Sequence, residues 1–229
     1  MLKSIEIDAY DQCQNKIIDI LKKSKCANLL DIGCNDGTYT KKIGKSTKIS
    51  ELYGIEIDDK LLKLANKNGI NAIKGNINEK FPFKDNFFDV VISNQVIEHL
   101  TNPDNMIKEI HRILKPGGFA IISTPNLCSL HNRLFVLLGW QITNIAPSNK
   151  LIFGRPGRGE KSNMDGFSRH ITIFSPPALK EMCNHYKLQP RNIYGSGFHP
   201  FKGIISNVLS KLLPKMSVFI IIQCKKSIN

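Results

Sequence analysis

Two hydrophobic periodicities divide the chain. Near its start, apolar residues at three- and four-residue spacing predict an amphipathic helix over residues 8–23; they are Tyr10, Cys13, Ile17, Ile20 and Leu21. From residue 28 onward, short apolar runs predict strands at 28–32, 51–57, 71–74, 88–93 and 119–124. Between them, helical patterns predict helices at 38–43, 59–66 and 104–114. This alternation indicates βαβ units and a parallel sheet.

The regular alternation stops after Pro125. Before that point, Asn68-Gly69 and Pro116-Gly117-Gly118 are predicted as turns that end the helices at 59–66 and 104–114. A long connection follows, with an apolar stretch at 134–140 and a basic, glycine-rich segment at 154–166, and connections of this length are usually functional. Ser175-Pro176-Pro177 then predicts the start of a helix that runs to about residue 186, and 217–224 is predicted as a buried last strand.

Composition places the chain among ordinary globular proteins. Its 229 residues, 41% of them hydrophobic, are enough for one domain with a substantial core. The 32 Lys and Arg against 19 Asp and Glu leave a net charge of +13, which suits phosphates, acidic glycans, anionic lipids or nucleic acid without choosing among them. A solvated basic surface is the simplest interpretation of that charge.

Cysteine spacing and hydropathy bear on the cell compartment. The six cysteines include no CxxC pair, which argues against a zinc site and a disulfide framework and favours free thiols. The first residues lack the apolar run of a signal peptide, and no segment offers about 18 uninterrupted apolar residues. We therefore predict no membrane span, no metal and a cytoplasmic location.

The segment LLDIGCNDGTYT at 29–40 carries the clearest chemical signal. A buried strand runs into a glycine turn and then a helix, so that backbone N–H groups at the helix start face a ligand that approaches the turn closely. Phosphate-loop enzymes need GxxxxGK[ST] and dinucleotide enzymes need GxGxxG, and the segment satisfies neither pattern.

The same segment resembles the first motif of class I S-adenosylmethionine-dependent methyltransferases, an acidic residue followed by GxGxG. The resemblance implies that Asp31, Gly33 and Gly37 shape the pocket for the methionine part of the cofactor and that Cys34 also contacts it. Asn35 replaces the central glycine of the motif. Because Asn is the other residue that best tolerates a left-handed backbone, we expect the turn to survive.

Four further segments continue the resemblance in order: GIEIDDKLLKLA at 54–65, GNINEKFPFKDNFFDVV at 75–91, ISNQVIEHL at 92–100 and EIHRILKPGGFAIISTPN at 109–126. They are similar to the small-molecule subgroup, the methyltransferase type 11/23-like enzymes. The resemblance implies that Glu56 accepts hydrogen bonds from the ribose hydroxyls and that Asn76 reads the adenine. It also implies that Ile57 and Ile77 enclose the adenine ring and that Asn94 belongs to the cofactor site.

The family fold is α/β and Rossmann-like, a doubly wound and mostly parallel seven-stranded sheet with an antiparallel last strand and a lid insertion after the fifth strand. The resemblance thus implies a single domain over 1–229, with an N-terminal helix at 1–24, a cofactor-binding core at 27–126, a lid or acceptor insertion at 127–170 and a C-terminal helix and strands at 171–229. S-adenosylmethionine is the implied cofactor, and S-adenosylhomocysteine the product.

Two histidines are the candidate catalytic residues. His99 follows Glu98 in VIEHL, where the carboxyl edge of the sheet opens onto the acceptor, and His170 begins a His-x-x-x-Phe-Ser-Pro signature that is similar to one in the same subgroup. Each is predicted to act as a base or substrate ligand, or else to brace the helix beside it. The other histidines are predicted to be surface or packing residues: His111, His131, His185 and His199.

Three features on the acceptor side have alternative interpretations. The stretch at 134–140 is a lid over an apolar acceptor, a peripheral membrane contact or part of the core. Arg155, Arg158 and Lys161 hold an anionic acceptor or lie in a solvated loop. Tyr10 closes over the cofactor or packs in the core.

The function that these features predict is methyl transfer to a small molecule or a glycan or lipid-linked precursor, with oxygen as the methylated atom. The net charge of +13 keeps an RNA or protein methyltransferase as an alternative, although no aromatic RNA-binding module and no Asn-Pro-Pro-Tyr type tetrapeptide supports it. A non-catalytic binding protein of the same fold is the other alternative, since Asn35 and Asn76 replace family residues.

Overall fold

The computed structural model describes residues 2–148, 153–154 and 170–228, with side chains from residue 6 onward. Its strands are β1 (Asn28–Ile32), β2 (Glu51–Glu56), β3 (Asn71–Lys74), β4 (Phe88–Asn94), β5 (Leu114–Pro125), β6 (Leu188–Ser196) and β7 (Phe219–Lys226). Its α-helices are α1 (Leu2–Lys22), α2 (Thr38–Ser46), α3 (Asp59–Lys67), α4 (Pro103–Ile113), α5 (Leu130–Leu137), α6 (Pro176–His185) and α7 (Gly203–Leu212). Short 3₁₀ turns lie at Ile97–His99 and Pro214–Met216.

The seven strands form one sheet in the order β3-β2-β1-β4-β5-β7-β6. β1 pairs in parallel with β2 and β4, and β7 runs antiparallel to both β5 and β6. All five residues of β1 are buried, which is what a central strand covered on both faces requires. The predicted doubly wound, mostly parallel sheet with an antiparallel last strand is therefore confirmed.

Helices cover both faces of the sheet. Along β1, Leu30 packs in a core with residues of α4 and α6, whereas Leu29 packs on the other face with residues of α1 and α2. Successive side chains of a strand point to opposite faces, so β1 contributes to both cores at once. Packing on both faces leaves the carboxyl ends of the parallel strands as the edge where a ligand site can form.

Side-chain caps begin three of the helices. Asp58 accepts hydrogen bonds from the backbone N–H groups of the first turn of α3, and Asn102 caps α4 in the same way. Ser175 caps α6, whose first residue is Pro176, as the Ser-Pro-Pro pattern predicts. Each cap provides an acceptor for N–H groups that have no partner within the helix.

Several element boundaries differ from the sequence prediction, two of them substantially. α1 begins at Leu2 rather than residue 8, and Ile7, just before the predicted start, is 55% exposed and so adds nothing to the buried periodicity. The Pro116-Gly117-Gly118 segment does not end α4. The helix ends at Ile113, Leu114 already pairs with Phe88, and the glycines form an irregularity inside β5, where the β4–β5 register shifts.

The C-terminal part supplies elements that the pattern did not resolve, namely β6 and α7. Among the described residues, no helix combines the length and apolarity that crossing a bilayer demands. The six cysteines are free thiols, as the spacing predicts.

Candidate functional site

The candidate site lies where the strand order of the sheet reverses. From β1 the chain proceeds to β2 and β3 on one side, and then returns to β4 and β5 on the other side. The loops that follow β1 and β4 therefore diverge and leave a crevice at the carboxyl edge, the usual ligand site of open α/β sheets.

The turn after β1 has the backbone that its glycines predict. Gly33 and Gly37 have φ of +70° and +76°, and a Cβ on Gly37 would lie 2.8 Å from Cγ1 of Ile70 and 3.0 Å from Cα of Ala65. Asn35 also has a left-handed φ, of 53°, so it substitutes for the family glycine as expected. The turn keeps its shape despite that replacement.

Glu56 ends β2 with its carboxylate held in place. Its Oε2 accepts a hydrogen bond from the backbone N–H of Asn35 at 2.9 Å, and its Oε1 accepts from those of Ile57 at 2.8 Å and Asp58 at 3.0 Å. The carboxylate thus joins the turn after β1 to the end of β2. The residue is 8% exposed, so these three N–H groups provide hydrogen bonds to a carboxylate that has little contact with solvent.

Asp31 is the buried acid of the same site. Burial raises the pKa of its carboxyl to about 7. The hydrogen bond that Thr40 Oγ1 donates to Oδ2 of Asp31, at 2.6 Å, lowers the pKa, whereas the negative charge of Glu56 raises it further. Two carboxyl groups therefore make this end of the crevice acidic. A ligand that carries positive charge would offset their repulsion.

Beside these acids lies a cavity of about 250 Å³. Tyr10 and Gln14 of α1 cover one side of it, so Tyr10 lies over the crevice rather than within the core. The remaining lining comes from the glycine turn, the start of α2 and the end of β4: Asp31, Gly33, Cys34, Asn35, Asp36, Thr38, Tyr39, Lys42 and Asn94.

Three residues predicted for the adenine end lie further along the sheet edge. Ile57 is 60% exposed, and Ile77 is partly buried against the core. The Asn76 side chain bonds locally: its Oδ1 accepts from the backbone N–H of Asn78 at 3.1 Å and its Nδ2 donates to Glu79 at 2.8 Å. These hydrogen bonds fix the orientation of the Asn76 amide.

A second cavity, of about 530 Å³, adjoins the first and shares four lining residues with it: Tyr10, Gly33, Asn35 and Asn94. Its other walls include the segment after β4, the end of β5 and the part of the chain after β5. The structure brings both candidate catalytic histidines, His99 and His170, into this lining. The two cavities together offer adjacent spaces for two reactants.

His99 and His170 lie side by side, with ring centroids 4.9 Å apart. The segment at 170–172 is held there because the carbonyl of Glu98 accepts hydrogen bonds from the N–H groups of Ile171 and Thr172. Burial lowers the pKa of His170, the bond to the Asn144 carbonyl opposes this, and the nearby His99 lowers the pKa further. His170 is therefore neutral near pH 7, and a neutral imidazole can accept a proton.

Residues 30–122 match the family model described as a methyltransferase domain. The match begins in β1 and ends in β5, so it spans the glycine turn, Glu56, Asn76 and His99. Residues 30–122 of this chain therefore form a methyltransferase domain. Its sheet has the class I order, and the family's cofactor is S-adenosylmethionine, with S-adenosylhomocysteine as the product.

Relatives of this methyltransferase domain are found in distant organisms. An uncharacterised methyltransferase of Schizosaccharomyces pombe is 31% identical over 131 residues, 52% of this chain and 46% of the relative. An uncharacterised protein of Methanocaldococcus jannaschii is 40% identical over 108 residues, 46% of this chain and 48% of that protein. The chain spans about half the length of these two relatives. A ubiquinone biosynthesis O-methyltransferase of Nitrosospira multiformis is 23% identical to this chain. The match covers 78% of this chain and 70% of that enzyme.

Solved structures share the fold over nearly the whole chain. A S-adenosylmethionine-dependent methyltransferase of Thermotoga maritima, described as a possible histamine N-methyltransferase, superposes with a TM-score of 0.63 at 19% identity, covering 97% of this chain and 91% of its own. An S-adenosylmethionine-dependent methyltransferase from Mesorhizobium loti has a TM-score of 0.63 at 14% identity. The superposition covers 95% of this chain and 100% of the Mesorhizobium chain. At this level of identity the likeness shows the fold alone.

The residues present fit the family's cofactor. Gly33, which has a left-handed φ and no side chain, lines the smaller cavity, whereas the close approach at Gly37 is to Ile70 and Ala65. Asp31 and Glu56 supply negative charge to a cofactor with a positive sulfonium, and the fixed Glu56 carboxylate suits a pair of neighbouring hydroxyls. The cofactor contacts remain a prediction, with the residues Asp31, Gly33, Cys34, Gly37, Glu56, Ile57, Asn76, Ile77 and Asn94.

Two histidines of the larger cavity were not recognised from the sequence. His131 of α5 and His199 both line it, with ring centroids 4.7 Å apart, and these positions are compatible with the predicted surface or packing role. No motif surrounds either histidine, and 68 positions separate them in the chain. Only the fold brings them together.

A buried polar network attaches the insertion to the sheet. Asn132 of α5 is fully buried, donates to Asn144 Oδ1 at 2.6 Å and accepts from the backbone N–H of Thr143 at 3.1 Å. Asn144 in turn accepts a hydrogen bond from His170 Nδ1 at 2.7 Å through its backbone carbonyl. The network thus links α5 to the histidine wall, by which we mean His99 and His170 in the lining of the larger cavity.

The apolar stretch at 134–140 is not core. Leu137 is 82% exposed and Val136 63% exposed, whereas Asn132, earlier in α5, is buried and His131 lines the larger cavity. This exposure leaves the lid and membrane-contact interpretations. Arg155, Arg158 and Lys161 lie outside the described residues.

Proposed function

We propose that this protein transfers a methyl group from S-adenosylmethionine to a hydroxyl oxygen of a small molecule or of a glycan or lipid-linked precursor. The observation that carries the proposal is the pair of adjoining cavities, which share Tyr10, Gly33, Asn35 and Asn94. One cavity suits the cofactor and the other is open to an acceptor. When bound, the cofactor supplies a methyl group on a positively charged sulfur.

The contribution of the chain is mainly alignment. Displacement at the methyl carbon requires the acceptor atom in line with the sulfur, and holding two reactants in that geometry lowers the barrier without further chemistry. The glycine turn and Glu56 would hold one reactant. Tyr10 of α1 and the segment at 143–144 would hold the other and exclude water.

Oxygen as the acceptor atom is supported by two observations. The ubiquinone biosynthesis relative is an O-methyltransferase, and four histidines line the larger cavity of this chain: His99, His131, His170 and His199. A hydroxyl must lose its proton when the oxygen is methylated, and neutral imidazole is a suitable proton acceptor. We propose that His99 and His170 act on that hydroxyl and that an imidazole of this cavity accepts its proton.

An amphiphilic acceptor fits the surface near the cavity. His131 lies in α5, and His199 lies just before α7, so both helices begin beside the cavity. Their outer sides form what we call the apolar rim, the exposed residues Leu134, Val136, Leu137, Leu138, Ile204, Ile205, Val208 and Leu212. With the net charge of +13, this rim suits peripheral contact with a bilayer of anionic lipids.

The cofactor half of the proposal is tested at Glu56. Glu56→Ala removes the proposed acceptor of two ribose hydroxyls and should weaken S-adenosylmethionine binding in calorimetry at least tenfold, the scale of hydrogen bonds to a charged group. Glu51→Ala is the matched control, because Glu51 is the exposed first residue of the same strand. Unchanged affinity in Glu56→Ala would show that the ribose site is misassigned.

Calorimetry also tests the alternative that the domain binds without catalysing. Wild-type protein that fails to bind S-adenosylmethionine would support a non-catalytic role and contradict our proposal. Binding together with consumption of the cofactor in the presence of catechol or glycan acceptors supports it, with S-adenosylhomocysteine as the measured product.

A further inference from the structure

Three side chains of the acceptor cavity form a cluster with metal-ligand chemistry. One ligand-capable atom from each of Glu98, His99 and His170 lies within 4.8 Å of the other two. Two imidazole nitrogens and one carboxylate oxygen are donors that divalent first-row transition metals accept. All three residues line the cavity of about 530 Å³.

The Glu98 carboxylate provides a second, independent indication. The residue is only 1% exposed, and its Oε2 accepts a hydrogen bond from Thr124 Oγ1 at 3.0 Å. Its Oε1 is buried and has no hydrogen-bond partner among the described residues. A buried carboxylate oxygen without a partner is costly, and a cation beside it removes that cost.

Local structure holds the three side chains of the cluster in the orientation that metal binding needs. Glu98 and His99 lie in the 3₁₀ turn directly after β4, and the Glu98 carbonyl holds the segment that follows His170. His170 donates its Nδ1–H to the carbonyl of Asn144, which leaves the lone pair of a neutral ring on Nε2. Metal-binding histidines commonly make this second hydrogen bond to a backbone carbonyl.

We propose that Glu98, His99 and His170 bind one divalent first-row transition-metal ion in the acceptor cavity. Ligands around such an ion lie about 3–3.5 Å apart, so binding draws the three side chains closer than the 4.8 Å limit of the cluster. Three protein ligands leave coordination positions open, which is typical of catalytic rather than structural sites.

The role of the ion rests on the proposed function. An acceptor hydroxyl bound at an open position has a lower pKa, because the ion stabilises its oxygen anion. The proton passes to His199, which lines the same cavity and whose pKa burial lowers, so that its ring is neutral. As the oxygen forms the new C–O bond, the C–S bond of the cofactor breaks and its electron pair stays on sulfur, giving neutral S-adenosylhomocysteine.

The test uses Co²⁺ as a spectroscopic probe. Metal-free full-length protein, without cofactor, is titrated with Co²⁺, and visible d–d absorption should saturate at one ion per chain and be displaced by Zn²⁺. His99→Ala and His170→Ala should each weaken binding at least tenfold, and Glu98→Gln should do the same. His185→Ala in α6 and His131→Ala in the same cavity are controls that should leave the titration unchanged.

Absence of stoichiometric Co²⁺ binding, or ligand variants that titrate like the wild type, would overturn the metal site. Circular dichroism confirms that each variant is folded, and His170→Gln replaces His170→Ala if the latter is not. Calorimetry with S-adenosylmethionine on the same samples separates the two proposals. Cofactor binding without Co²⁺ binding rejects only the metal site, whereas Co²⁺ binding without cofactor binding rejects only the proposed function.

Discussion

At the scale of single residues, the site contains groups that cost the free protein stability. Asp31 is buried at the end of β1, where an ordinary parallel strand would carry an aliphatic side chain. Among the described residues its side-chain hydrogen bond donor is Thr40, which does not offset the loss of hydration, and burial raises the pKa to about 7. The ionised form of Asp31 therefore lowers the stability of the cofactor-free protein.

Asp31→Asn should therefore stabilise the cofactor-free protein in a pH-dependent way. The folded-state pKa of Asp31 is raised from 3.8 to about 7, so its contribution to stability is present below pH 3.8 and is lost as pH rises toward 7. The advantage of Asn should grow by about 2 kcal/mol between pH 5 and pH 8 in denaturant unfolding.

Asp58→Asn is the control for that experiment. Asp58 is an exposed helix cap with a lowered pKa, so its charge state is the same at pH 5 and pH 8. An Asp31→Asn advantage that is equal at both pH values would contradict the assignment of a raised pKa.

The left-handed glycines allow a second prediction at this scale. Gly37→Ala adds a Cβ at positive φ that also collides with Ile70 and Ala65, whereas Gly69→Ala has positive φ with no atom within 4 Å of the new Cβ. We expect Gly37→Ala to lower the free energy of unfolding by about 2–4 kcal/mol and Gly69→Ala by about 1 kcal/mol. Equal losses would show that the turn tolerates a side chain at Gly37.

At the scale of elements, α5 supports the histidine wall through Asn132. This buried amide holds both Thr143 and Asn144, and the Asn144 carbonyl holds His170. Asn132 does not itself line either cavity, so it is a positioning residue. The helix thus acts as a support for the acceptor side while the cofactor side depends on the strand ends.

Asn132→Ala should affect the acceptor side of the site and leave the cofactor side unchanged. We expect a loss of about 1–3 kcal/mol in unfolding free energy, because buried partners lose their hydrogen bonds, together with a lower turnover rate. Affinity for S-adenosylmethionine should stay at the wild-type value, measured by calorimetry. Asn207→Ala in α7 is the control. A parallel loss of cofactor affinity in Asn132→Ala would mean that the two sides are coupled.

At the scale of the whole molecule, charge and apolar surface act together. The net charge of +13 attracts any polyanion, whereas the apolar rim of α5 and α7 distinguishes a bilayer from RNA. An anionic membrane satisfies both features, and RNA satisfies only the charge. The position of the rim beside the larger cavity makes membrane contact relevant to how an amphiphilic acceptor would enter.

Vesicle flotation tests this combination. The protein should bind phosphatidylglycerol-containing vesicles, with binding weakened by salt, and should bind neutral vesicles much less. Leu137→Ser with Ile204→Ser should lower the bound fraction severalfold, while Leu64→Ser, an exposed leucine of α3, should not. Salt-sensitive RNA binding that the rim variants leave unchanged, with no vesicle binding, would favour the RNA alternative.

The cofactor half of the protein was determined by the sequence itself. A strand, a glycine turn and a helix follow one another within residues 29–40. The glycine turn follows the end of β1, and Glu56 ends β2, and the apolar pattern of each strand can be recognised from its own residues. Parallel strands place such ends at one edge, so local patterns were sufficient to predict the parallel sheet, and the resemblance added its antiparallel last strand.

Only the tertiary structure decided the acceptor half. His131 and His199 meet at a cavity although no motif joins them, and residues 134 and 136–138 are exposed. Glu98 has a buried carboxylate oxygen that no described residue contacts by a hydrogen bond. Each of these facts depends on long-range packing of the segment after β5 onto the sheet edge. A periodicity records that a side chain is apolar or polar, but it does not record which distant residue will face it.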